Sequence, residues 1–153
     1  MIIVRTQLFL VVIAVGMLMP YASVAEKSDD ILIIVNKSNR EHNLSIDDVK
    51  MYFLKKRTTW KKGGKVVPIH AKSGSKLKNE FINRVLNMNQ DKEKTYWRNL
   101  KIQVGVSKPL ELSNIQKAVF NLKGAIGYVY RSQYLDRVST IALVVPPPEK
   151  KGK

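Results

Sequence analysis

Cysteine is absent from this 153-residue chain, and histidine occurs only at His42 and His70. Without cysteine there is no disulfide scaffold, thiolate metal site, thiol nucleophile or lipobox anchor. The histidines lie 28 residues apart with no glutamate at ligand spacing, which argues against a zinc site. Acidic residues are scarce, 12 against 27 Lys plus Arg. The apolar run over residues 8–19 is short of the ~20 residues a membrane-spanning helix needs. No internal repeat, collagen period or heptad pattern occurs. A nucleophile elbow, a phosphate-binding P-loop and a dinucleotide fingerprint are also missing. The pairs Asp29-Asp30 and Asp47-Asp48 are immediate neighbours, whose side chains diverge on a helix, so they read as solvated or capping carboxylates. Nothing here points to catalysis, a metal or a cofactor.

What is present begins with a leader. Arg5 is the only charge in residues 1–25, the apolar stretch follows it, and Ser23-Val24-Ala25 supplies a small-x-small cleavage pattern. Residues 1–25 therefore read as a signal peptide, 26–145 as one domain and 146–153 as a disordered basic tail. The expected location is periplasmic, with no membrane span after cleavage. Removing the leader takes away one cation and no acid. Twenty of the 27 cations are Lys, which suits a solvated surface better than bidentate recognition. Such a field attracts phosphate, anionic polysaccharide, lipid headgroups or nucleic acid. Export argues against nucleic acid.

The aliphatic run Ile31 to Val35 has the pattern of a strand buried on both faces. Residues 36–43 read as a loop. Ser45 and Asp48 form a capping-box pattern opening a helix with Ile46, Val49 and Phe53 at helical spacing. Residues 66–69 read as a short strand placed at a sheet edge, because Pro68 cannot donate to a ladder. Leu77, Phe81, Ile82, Val85 and Leu86 mark one face of a second helix, and residues 91–100 a third. Ser113 with Gln116 has a capping-box spacing for a helix containing Ile115, Val119 and Leu122, and Gly124 sits where a C-cap glycine belongs. Residues 125–130 and 141–145 complete the strands. The alternation is that of an α/β domain.

Two segments carry recognisable chemistry. Ser73-Gly74-Ser75 before a helix offers hydroxyls and free N–H groups to an anion, with Lys72 and His70 as nearby sources of charge. The same residues equally make an ordinary N-cap. The turn over residues 55–65 holds six cations around Trp60. An aromatic among cations can stack a base or a sugar; more often the ring packs on the domain while the lysines stay solvated. Tyr96 and Trp97 are expected to anchor an otherwise charged third helix.

Three pieces in this order carry a resemblance: Tyr52-Phe53-Leu54-Lys55-Lys56-Arg57-Thr58-Thr59-Trp60 with a following glycine, Ser73 to Phe81, and Gly124-Ala125-Ile126-Gly127-Tyr128-Val129. The series resembles the phosphate ABC transporter substrate-binding proteins, of the type 2 periplasmic binding protein class. Those carry an F-x-G-x-x-x-x-W turn, a serine-glycine-threonine anion motif and a G-x-I-G-Y segment. The resemblance spans roughly residues 31–130. It implies a single lobe standing alone, with a small mixed sheet flanked by helices, and an anion site at Ser73, Gly74 and Ser75. Lys55 stands where the family has the glycine of the Trp turn. Ile69 falls at the spacing of the family's arginine, with His70 one place nearer the motif.

Two functions follow as expectations, neither enzymatic. One is an exported binding protein with weak affinity for phosphate or a similar small anion, or an accessory role in an envelope complex. The other is an interaction module that has lost ligand binding and docks an acidic protein, lipid or polysaccharide.

Overall fold

The structure is a computed structural model, and it describes residues 29–149. The leader expected over residues 1–25 lies outside the described residues, as do the last four residues of the expected tail.

Five strands form one mixed sheet: β1 (Ile31–Val35), β2 (Val67–Ala71), β3 (Leu110–Leu112), β4 (Ala125–Tyr130) and β5 (Thr140–Val145), in the order β3-β2-β4-β1-β5. β1 runs antiparallel to both β4 and β5, whereas β2 runs parallel to β3 and β4. Every residue of β1 is fully buried, as its unbroken aliphatic run requires for a strand with neighbours on both sides and helices over the sheet.

The helices are α1 (Ile46–Phe53), α2 (Lys76–Phe81), which continues as a π-helical turn over Ile82–Leu86, α3 (Gln90–Val104) and α4 (Ile115–Asn121). The capping box of α1 forms as read: Asp48 N–H donates to Ser45 Oγ at 3.1 Å and Ser45 N–H to Asp48 at 3.2 Å. The α4 cap differs. Asn114, not Ser113, accepts from Lys117 N–H at 3.0 Å. Gln116 instead joins α4 to the segment after β4, through Gln133 O and Leu135 N–H. Two adjacent capping residues compete there, and only the geometry of the chain's entry chooses between them.

The expected edge position of β2 is also corrected, since β2 lies between β3 and β4. Val67 N–H donates to Gly124 O on the β4 side, so the next nitrogen, that of Pro68, faces the β3 side. The β3 ladder begins only at Ile69, and no donor is needed one residue earlier.

Phe53, Phe81, Tyr128 and His70 cluster beneath α1 and α2, with the Phe81 and Tyr128 rings stacked 3.8 Å apart between centroids. Trp60 packs on Tyr52 at 4.8 Å, is 5% exposed, and donates Nε1–H to Gly124 O at 3.2 Å. Its ring is structural, as the sequence indicated. Trp97 is buried as well, and Tyr96 ties α3 to α1 by donating its O–H to Leu54 O at 2.8 Å.

Candidate anion site

The loop between β2 and α2 is shaped by its own small residues. Gly74 has φ +80°, a left-handed conformation that glycine adopts without a Cβ penalty. Ser75 N–H donates to Lys72 O at 3.1 Å, and Ser75 Oγ accepts from Lys78 N–H at 3.3 Å, capping α2. That helix has only six α-helical residues before it widens, so charge at the loop must come chiefly from side chains.

One carboxylate is bonded to the loop through Ser73. β3 pairs in parallel with β2 and sets Glu111 opposite His70, one edge away from the loop. Glu111 accepts from Ser73 N–H at 3.3 Å, from Ser73 Oγ at 2.8 and 3.0 Å, from Lys78 Nζ at 2.8 Å and from Lys108 Nζ at 2.7 Å. Partial burial raises its pKa, but the bonds from Lys108, Lys78 and Ser73 together overcome this and hold it at about 2. Glu111 is therefore an ionised internal anion at neutral pH.

Lys78 is the hinge of this cluster. Its side chain is 4% exposed and its Nζ also lies 3.4 Å from Glu93 Oε1 and donates to Ser73 Oγ at 3.4 Å. A desolvated ammonium of this kind is tolerable only when carboxylates accompany it. Lys78 and Lys108 together balance Glu93 and Glu111. The one further lysine of the adjoining cleft, Lys94, is matched by Asp91, so a free phosphate entering there would bring negative charge with no surplus cation to offset it.

The five residues expected at the site are not all brought together. Ser73 and Gly74 line a cleft of about 490 Å³ with Lys78, Glu93, Trp97 and Lys108. Lys72 and Ser75 line a different one, of about 370 Å³. His70 is fully buried among aromatic rings. Burial first, then the charges of Lys78 and Lys108, push its pKa down to about 3. The Tyr128 hydroxyl accepts from Ala71 N–H at 3.1 Å and lies 2.9 Å from His70 Nδ1, which fits a neutral ring accepting the tyrosine proton. His70 thus lends the loop no charge.

Solved structures of phosphate receptors share the fold. A putative phosphate ABC transporter substrate-binding protein with bound phosphate from Clostridium perfringens matches at TM-score 0.57 and 25% identity, over 74% of this chain and 44% of its own. An ABC-type phosphate transport receptor from Vibrio cholerae matches at TM-score 0.59 and 16% identity, over 74% and 45%. PstS from Borrelia burgdorferi matches at 0.56 and 13%, over 74% and 46%. The chain folds like one lobe of a phosphate-transporter substrate-binding protein. It spans less than half the length of these receptors. No protein-family model and no curated protein matches it.

The residues of this phosphate-receptor-like lobe that the motif reading missed are Glu93, Lys108, Glu111 and Lys78. Of these only Lys78 falls within one of the three resembling pieces, Ser73 to Phe81. Glu111 lies 38 residues beyond Ser73, and only the β2–β3 pairing brings the two together.

Proposed function

We propose that this chain is a non-enzymatic, exported, phosphate-receptor-like domain whose serine-glycine-serine loop is closed by its own carboxylate, and that it acts by docking a partner rather than by capturing free phosphate. The observation that carries this is the Glu111 carboxylate held by Ser73, Lys78 and Lys108. Glu111 is tethered by the sheet, so it competes for the loop at the effective concentration of an intramolecular group, millimolar or above. A phosphate bound on one side only, with affinity of about millimolar or some 4 kcal/mol, has no advantage over it. The leader over residues 1–25 and the receptor-like fold support export. The 25%-identical structure from Clostridium perfringens contains phosphate, and that is the support for the competing reading, weak anion binding at Ser73, Gly74 and Ser75.

Thermal midpoints measured in millimolar phosphate, with ionic strength matched by sodium chloride, separate the two readings. No rise beyond the salt control is expected. A saturable rise in the unmodified protein would overturn the closed loop in favour of anion binding, since a ligand that binds only the folded state raises its midpoint.

A further inference from the structure

Two clefts of the same size, about 490 Å³, differ in charge balance: one is close to neutral and the other is wholly cationic. The one at Ser73 sets Lys78, Lys94 and Lys108 against Asp91 and Glu93, with Glu111 bonded into the adjoining loop. The other lies between three loops, those after β1, around Trp60 and before β4. It is lined by Arg40, Lys62, Lys65 and Lys123, with no Asp or Glu among its lining residues. All four cations are exposed, and none makes an ion pair among the described residues.

The neighbouring carboxylates are already engaged. Glu41 is 7% exposed and accepts from Lys62 N–H at 2.7 Å and Tyr52 O–H at 3.3 Å. Asp48 is held by Arg57 and Lys61, each at 2.8 Å. The cleft is also firmly built. Asn36, at the root of the first loop, donates Nδ2–H to Val119 O and Phe120 O at the end of α4, and Trp60 bonds to Gly124 in the third. Gly63 and Gly64, at φ +90° and +91°, leave the space around their Cα atoms open.

We propose that this cleft receives an acidic segment of a partner protein, whose carboxylates lie among Arg40, Lys62, Lys65 and Lys123. The proposal deepens the docking reading above by naming the surface and the partner's chemistry. A sugar polymer would want an aromatic face to stack on, but the one aromatic in the lining, Trp60, is 5% exposed and its Nε1–H is committed to Gly124. A bilayer would want apolar side chains to insert. Beyond Trp60 the lining offers only half-buried Val67. A peptide bearing carboxylates needs neither, only unpaired cations in a concave surface. Complementary charge of this kind speeds encounter and selects the partner.

The test is fluorescence anisotropy of a labelled decaglutamate peptide with the purified protein at fixed ionic strength. Lys65→Glu with Lys123→Glu reverses two charges in the cleft, and Lys92→Glu with Lys117→Glu reverses two exposed charges outside it. All four side chains are exposed, and thermal midpoints check that both variants fold. The expected result is about tenfold or greater loss of peptide affinity for the cleft variant, and no more than about twofold for the other. Equal losses would overturn the proposal, because diffuse attraction by the whole charged surface would explain them. So would tight binding of phosphatidylglycerol vesicles, but not of the peptide, that the cleft variant abolishes. A phosphate effect on the thermal midpoint would sink the reading of the Ser73 loop without touching this comparison.

Discussion

Ser73 gives both its backbone N–H and its hydroxyl to the carboxylate of Glu111, 38 residues away in sequence. The loop that resembles a phosphate cradle thus already holds an anion, one supplied by β3. That bond joins the loop to the sheet edge and gives Lys78 the second carboxylate it needs under low exposure.

Glu111→Gln should therefore destabilise the domain at neutral pH by about 1–3 kcal/mol, the range for hydrogen bonds to charged groups. The effect should depend on pH in one direction. The carboxyl is held at about 2 in the folded state, below its ordinary 4.5. Its contribution is then complete above about 4.5 and fades as pH falls toward 2. Urea midpoints of the parent and the variant should converge across that window. A gap that stays constant to low pH would show that the charge plays no part.

Trp60→Ala should cost about 3–5 kcal/mol, the usual loss for a buried large aromatic. Trp60→Phe keeps a ring against Tyr52 and loses the bond to Gly124 O, so it should cost less, by a clear margin in chemical denaturation. An alanine variant as stable as the parent would show that the ring does not hold the turn.

The two glycines of Gly124-Ala125-Ile126-Gly127 have separate steric reasons. A Cβ on Gly124 would stand 2.2 Å from Lys65 O, and its φ is +81°. A Cβ on Gly127 would stand 2.3 Å from Ile115 Cγ2. Gly124→Ala must move backbone and should destabilise by more than the ~1–2 kcal/mol of left-handed strain alone. Gly127→Ala meets side chains of α4 and should cost about 1–3 kcal/mol, as overpacking does. Thermal melts that leave either variant at the parental midpoint would contradict the close approach.

Lys55 occupies the family's glycine position and has φ +53°, while its Nζ donates to Ser107 O at 2.7 Å. Lys55→Gly and Lys55→Ala both lose that bond, but only glycine relieves the backbone. The glycine variant should be the more stable of the two by about 1 kcal/mol. The reverse order in urea melts would mean the backbone strain is negligible.

Much of the fold could be read from the chain because its signals are local. The aliphatic β1, the Ser45–Asp48 box and the 77–86 apolar face each need only neighbouring residues. β3 is not legible, because three residues with Glu111 in the middle show no period. The position of β2 is hidden for a related reason: Pro68 tells where a donor is missing, not how long the neighbouring strand is. The site was legible only in its loop. Glu111 is brought against Ser73 only by the β2–β3 pairing, Lys78 carries no local mark of the carboxylates it meets, and His70 reads as a source of charge until the aromatic cluster encloses it.

Per-residue NMR shifts during phosphate titration at constant ionic strength test the closed loop most directly, with the unmodified protein and Glu111→Gln side by side. Constant ionic strength matters because a net charge of +15 attracts any anion diffusely. The expected result is small shifts spread over lysine-rich surfaces in the unmodified protein, and saturable shifts concentrated at Ser73, Gly74 and Lys78 once Glu111 is neutralised. Saturable shifts at those residues in the unmodified protein, as strong as in the variant, would contradict it.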